Sequence, residues 1–167
     1  LDRLNVERRA IEVATVAQAE AEAMAALGFE EKGAAVVTAA EGWHPGVVGL
    51  VAARLKEPFG RPAFAIALEP GGIGTGSGRS IQGVDLGRVV RQAVGEGLLI
   101  KGGGHAMAAG VTLRKDALAA FRAFLEATIG DAVAAARRDD ALKIDGALTA
   151  AAATAETVAT LAKAGPF

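Results

Sequence analysis

Residues 34–68 read AAVVTAAEGWHPGVVGLVAARLKEPFGRPAFAIAL: an apolar run, a turn, a helical stretch and a second apolar run. Ala34 to Ala40 and Ala63 to Leu68 have the length and composition of short buried strands. Between them Glu41-Gly42-Trp43 turns the chain into His44-Pro45-Gly46. Pro45 suits a first helical position, and Leu50, Val51 and Leu55 give the helix that follows a buried side. The segment from Pro58 to Pro62 breaks that helix. Strand, helix, strand in this order sets the α/β class.

Working outward toward the N-terminus, residues 2–27 lack Gly and Pro and are rich in Ala and Glu, which predicts a helix ending at Gly28. Its apolar stripe is thin (Leu4, Ile11, Val13, Met24, Leu27), as expected of a helix that partly connects domains. On the other side, Pro70-Gly71-Gly72 is a turn, and Ile73 to Ser80 a third strand in which glycine alternates with other residues. Asp85 is placed to cap a helix over Leu86–Val94. Leu98–Ile100 predicts a fourth strand leading into a tri-glycine loop, and Ala108–Leu113 a fifth. Asp116 is expected to cap a long helix running to about Ala136, with Leu118, Phe121, Phe124, Leu125 and Ile129 as its core stripe. A short strand over Lys143–Gly146 and a weaker helix over Thr154–Ala164 complete the reading. The expected architecture is a mostly five-stranded sheet flanked by helices and preceded by a connector helix.

Composition narrows the function classes. The chain has 167 residues, a length that suits one domain with a fragment of another. It has no Cys and no Tyr, which excludes a disulfide scaffold and a thiolate metal site. Apolar stretches are broken well before the ~20 residues a membrane span needs. No signal peptide opens the chain, and Leu1 and Gly165-Pro166-Phe167 read as cuts. The expectation is a cytoplasmic, monomeric fragment that meets no membrane. Net charge is −1, but residues 54–115 hold nine Lys/Arg against four Asp/Glu. That balance fits an anionic ligand in the middle of the chain, or simply a solvated charged surface.

Thirteen of the 22 glycines fall within residues 71–110, and two clusters of them carry the chemistry. In Gly74–Ser80, strand alternation puts Thr75, Ser77 and Arg79 on one face and glycines on the other. Two hydroxyls and a guanidinium side by side suit phosphate oxygens; the alternative is a tightly packed strand with an ordinary surface arginine. In Lys101-Gly102-Gly103-Gly104-His105, three residues without Cβ atoms let a ligand lie on the backbone, and the imidazole adds a titratable donor. A plain turn rarely needs more than one glycine. Trp43 and His44 are further candidates: the only Trp could be core or a stacking surface, and His44 a simple lead-in to the helix. The pattern is neither a Walker loop nor a dinucleotide fingerprint. With two histidines and no Asp/His cluster at ligand spacing, a di-metal hydrolase centre cannot be assembled from these residues. The chain is therefore expected to hold a phosphate without cutting it alone.

GWHPGVVGLVAARL (42–55), FGRPAF (59–64), GSGRS (76–80), VDLG (84–87) and KGGGHAMAAG (101–110) together resemble the DHHA1 domain of the bacterial RecJ family. These are single-stranded-DNA-specific 5′→3′ exonucleases of the DHH phosphoesterase superfamily. Residues 4–12 (LNVERRAIE) resemble the end of the helix joining that family's core domains, and residues 142–167 the start of its OB-fold. The resemblance implies a connector over 1–28, a substrate-binding domain over 29–137 and a truncated OB-fold over 138–167. It implies that Gly102, Gly103 and Gly104 cradle substrate, that His105 faces the phosphate and metal centre, and that Ser77 and Arg79 hold a DNA phosphate. It also implies Mn²⁺ or Mg²⁺ bound by a DHH domain of the same chain, absent from these residues, with single-stranded DNA as partner in repair and recombination. Lys101 and Thr75 are secondary candidates beside them. Other readings are half of an oligoribonucleotide or cyclic-dinucleotide phosphodiesterase, and a non-catalytic nucleic-acid-binding module.

Overall fold

Ala63–Leu68, the most buried strand, explains the layering. In the computed structural model, which describes residues 2–27, 33–138 and 147–163, every residue of this strand is buried. Alternation sends Phe64, Ile66 and Leu68 into one core and Ala63, Ala65 and Ala67 into another. The large side chains face two helices that stand off the sheet; the alanines let two others approach closely.

The elements in chain order are α1 (Asp2–Leu27), β1 (Val36–Glu41), α2 (Val48–Phe59), β2 (Ala63–Leu68), β3 (Ile73–Arg79), α3 (Leu86–Gly95), β4 (Lys101–His105), β5 (Ala108–Arg114), α4 (Leu118–Arg138) and α5 (Ala155–Ala162). The mixed α/β domain has a five-stranded sheet in the order β1-β2-β3-β5-β4. Only β1 and β2 are parallel, as the α2 crossover between them requires; the remaining pairs are antiparallel. Helices α3 and α4 cover one face, where Phe121, Leu125, Ile129 and Val133 of α4 are buried at four-residue spacing. There the Phe64 and Phe121 rings meet edge to face, with centroids 5.3 Å apart. Helices α1 and α2 cover β1 and β2 on the other face.

Several expectations change. Of the expected α1 stripe, the described residues Ile11, Val13 and Met24 are exposed, and the helix instead buries Thr15, Ala19 and Ala23, with Val16 half-buried against the same core. Small residues at four-residue spacing give a close helix contact, reinforced where Glu22 accepts from the Ala39 amide at 3.2 Å. Leu4, Leu27 and Gly28 lie outside the described side chains. Helix α2 starts at Val48 rather than at Pro45, because residues 45–47 form a turn closed by Val47 N–H to the His44 carbonyl at 3.0 Å. It runs one residue past Pro58 and ends on Gly60 in the left-handed conformation.

The largest difference is in the tri-glycine. Leu98–Ile100 is not a strand; the amides of Leu98 and Leu99 both bond to the Ala93 carbonyl and finish α3. The strand is Lys101–His105 itself, at the sheet edge. Asp85 caps α3 as expected, accepting from Arg88 N–H at 2.9 Å. Asp116 does not act as a simple cap: it lies in a 3-10 turn before α4, its carboxylate 2.8 Å from Arg114. That contact holds Asp116 below and Arg114 above their ordinary pKa values. Thr154 caps α5, which buries none of its residues. The expected strand at Lys143–Gly146 lies outside the described residues, and no helix among the described residues is long and apolar enough to cross a membrane.

Candidate nucleic-acid interface

Among the described residues, helices α1 and α2 pack mainly on β1, β2 and β3, so β5, β4 and the odd-numbered residues of β3 border a face left open by the described helices. Register fixes what stands on it. Arg79 pairs with Ala108 and Ala108 with His105; Ser77 pairs with Gly110 and Gly110 with Gly103; Thr75 pairs with Thr112 and Thr112 with Lys101. Alternation therefore lines up three rows of side-chain positions across three strands. Neighbouring strands lie ~4.8 Å apart, which puts the Arg79 and His105 positions about 10 Å from each other on the same face.

Beyond Ser77 the middle row is bare at Gly110 and Gly103. A Cβ built on Gly103 or on Gly110 would meet nothing within 4 Å. A shallow trough of about 370 Å³ opens beside them, bounded by Thr75, Thr112 and Lys101. Gly110 and Thr112 were not among the sequence candidates; the alternation in AAGVTLR was the signal that could have found them.

The glycines at even positions of β3 do the opposite work. A Cβ on Gly76 would sit 2.6 Å from Ile66 Cγ1 and 2.8 Å from the Ala65 carbonyl oxygen. Gly74, Gly76 and Gly78 thus let Phe64, Ile66 and Leu68 fold over the strand within the α3/α4 core. Their role is packing of neighbouring strand side chains.

The tri-glycine divides in the same way. A Cβ on Gly102 would lie 2.6 Å from Val90 Cγ1 of α3 and 3.0 Å from the Gly110 carbonyl oxygen. Gly104 has φ +152°, and a Cβ there would collide with the Ala108 carbonyl and the Ala109 backbone. Opposite it, Gly87 of α3 allows the helix to touch the β4 backbone, where a Cβ would be 2.7 Å from the Gly104 carbonyl oxygen. Only Gly103 faces the open side. As an edge strand, β4 pairs on one side, so alternate N–H and C=O groups point away from the sheet. Arg91 reaches that edge and donates to the Gly104 carbonyl at 3.3 Å; nothing in the sequence pattern singled it out.

Arg79 is half-buried and fixed by its neighbours. Its Nη1 donates to Ser77 Oγ at 2.7 Å and to the Gly78 carbonyl at 2.9 Å. A Cβ on Gly49 would be 2.9 Å from Arg79 Nη2, so the guanidinium lies against the first turn of α2. No side chain caps that helix end. Arg79 Nε and Nη2 have no protein acceptor among the described residues. A guanidinium with free donors, a hydroxyl and a helix N-terminus together favour an anion there. His105 is exposed, and its imidazole makes no hydrogen bond to another described residue.

The remaining candidates sit elsewhere. Trp43 is 7% exposed, packs in the α1/α2 core and donates from Nε1 to Gln18 Oε1 at 2.9 Å. It offers no ring face to a base. His44 is exposed, and its Nδ1 accepts from Gly46 N–H at 3.0 Å, closing the turn before α2. Arg61, which sequence reasoning passed over, is fully buried and donates to the Phe59 carbonyl at 3.0 Å and the Gly33 carbonyl at 2.6 Å. Its surroundings mark it as a structural residue. Among the described residues, no three His, Asp or Glu side chains come together as a metal site.

A family model described as the DHHA1 domain matches residues 31–131. The single-stranded-DNA-specific exonuclease RecJ of Dickeya dadantii strain 3937 is 40% identical over 127 residues, covering 75% of this chain and 22% of that protein. Its counterpart from Escherichia coli K12 is 39% identical over 129 residues, with the same coverage. RecJ from Thermus thermophilus in complex with Mg²⁺ superposes with a TM-score of 0.64 at 32% identity, over 78% of this chain and 19% of that one. An exonuclease RecJ bound to manganese gives a TM-score of 0.67 at 33% identity, over 84% and 33%. The chain spans 22% of the length of the first curated relatives it matches, about a fifth. The family match extends over more than half of the residues, on the same sheet and helices that build the open face, and the chain belongs to the DHHA1 domain family.

Proposed function

We propose that the chain is the substrate-binding part of a metal-dependent exonuclease that degrades single-stranded DNA in the 5′→3′ direction, acting in DNA repair and recombination in the cytoplasm. The observation that carries this reading is the open β3-β5-β4 face, with Ser77 and Arg79 at one side of a bare glycine row and His105 at the other. In this reading Arg79 and Ser77 bind a backbone phosphate, using the guanidinium donors left free among the described residues. The strand passes over Gly103, and amides at the β4 edge add donors toward it. His105, across the sheet from Arg79, contacts the same phosphate or the one beside it. Such donors act more strongly as charge builds on the reacting phosphate, and removing one in a comparable site costs on the order of 3 kcal/mol. The described residues do not fit a metal; Mn²⁺ or Mg²⁺ belongs to a DHH domain that faces this surface. The similarity to RecJ proteins, including structures with Mg²⁺ and Mn²⁺, supports this division of labour.

The test is binding of a 5′-phosphorylated single-stranded oligonucleotide to the chain and to its Arg79→Ala variant across a salt series. Arg79→Ala should weaken binding and lower the salt slope by about 0.7, the value for one phosphate contact on a single strand. Unchanged affinity and slope would remove Arg79 from the interface.

A further inference from the structure

The far end of the open face carries polar groups that the reading above leaves unused. Thr75, Thr112 and Lys101 form the third row across β3, β5 and β4. Four residues along each strand separate it from the Arg79–His105 row, or about 13 Å at strand rise. Thr75 and Lys101 are exposed and Thr112 is half-buried. Lys101 has no carboxylate partner among the described residues, whereas Lys115 pairs with Glu41 at 2.9 Å and Lys56 with Glu57 at 2.7 Å. Neither threonine hydroxyl has a hydrogen-bond partner among the described residues. The row borders the trough over Gly103 and Gly110.

We propose that Lys101, Thr75 and Thr112 form a second phosphate subsite for the same nucleic-acid strand, which runs along β3 and β4 rather than across them. This deepens the reading of the face as a single-strand interface and rests on it. A lone lysine on a flexible stem at the edge of the row, next to two hydroxyls, suits a backbone phosphate bound without regard to sequence. The bare Gly103–Gly110 row separates the two cationic rows and leaves room for the sugars and bases between the held phosphates. The subsite lies too far from Arg79 for a dinucleotide to reach both, so its contribution depends on oligonucleotide length.

The experiment measures anisotropy of labelled, 5′-phosphorylated oligothymidylates, from dinucleotide to octamer, binding to the chain in EDTA over a salt series. Lys101→Gln and Thr75→Val are compared with Arg79→Ala. Lys101→Gln should weaken octamer binding severalfold and lower its salt slope by about 0.7 while leaving the dinucleotide unchanged. Thr75→Val should weaken the octamer alone, to a smaller extent. Lys101→Gln acting equally on both lengths, or on neither, would overturn the second subsite. If Arg79→Ala weakens both lengths and Lys101→Gln neither, the subsite fails and the single-strand reading stands. If no substitution, Arg79→Ala included, affects any length, that reading fails as well.

Discussion

Replacing Gly102 by alanine drives a methyl group into α3, whereas the same change at Gly103 places it in open space. At Gly102 the new Cβ starts 2.6 Å from Val90 Cγ1, with the Gly110 carbonyl oxygen at 3.0 Å on the other side. Carbon–carbon contact is comfortable near 3.5–4.0 Å, so Val90 or the strand must yield by roughly 1 Å. The carbonyl is backbone within a paired strand and cannot turn aside. Overpacking of this kind costs about 1–3 kcal/mol. In a domain of this size each 1 kcal/mol moves Tm by roughly 2–4 °C, giving an expected fall of about 2–12 °C for Gly102→Ala. Gly103→Ala meets no neighbour and relieves the ~0.5–1 kcal/mol entropic cost of glycine in a strand, so its Tm should hold or rise slightly. Thermal unfolding by circular dichroism reads both, and oligonucleotide affinity of the same samples should fall for Gly103→Ala. Equal stability of the two variants, or a greater loss at Gly103, would refute the division of the tri-glycine into packing and ligand-facing positions.

Trp43→Ala should destabilise by about 3–5 kcal/mol, as expected for a buried aromatic, without weakening the affinity of the protein that remains folded in a chemical-denaturation and binding series. Asp85→Ala removes the acceptor for Arg88 N–H at the start of α3 and should cost about 1 kcal/mol in urea unfolding. The Glu41 carboxyl is held below its ordinary range first by its hydrogen bond from Lys115 and then by that residue's charge. A depressed folded-state pKa gives stability that is present above the unfolded value and lost as pH falls through the folded one. Glu41→Gln should therefore be slightly less stable than the parent near neutrality and equal to it in strong acid. A difference that persists at low pH would contradict this.

Much of the fold was legible because the relevant signals are local. β2 was read residue for residue, since an apolar run between Pro62 and Glu69 has little alternative to a buried strand. Helix α3 followed from the Asp85 cap, and α4 from the four-residue spacing of its apolar stripe. The tri-glycine was misplaced because glycine has no strand preference of its own. Those residues form β4 only because β5 supplies a partner and α3 has glycine and valine at the places where the strand passes. The exposed side of α1 was misjudged for a related reason. Alanine carries little weight in an apolar stripe, yet Ala19 and Ala23 are what permit close approach. At the site, Thr75, Ser77 and Arg79 were placed on one face by alternation alone. That Gly110 and Thr112 share the face with Gly103 depends on cross-strand register, which no single segment encodes.

The β3-β5-β4 face is expected to meet the backbone of a single strand. The most direct test is a ¹⁵N–¹H NMR titration of the chain with a 5′-phosphorylated oligothymidylate, first at low salt and then with salt added. Shifts should concentrate at Thr75, Ser77, Arg79, Lys101, Gly103, His105, Gly110 and Thr112, and retreat as salt rises. Shifts centred on the outer surface of α4, or a footprint indifferent to salt, would contradict it.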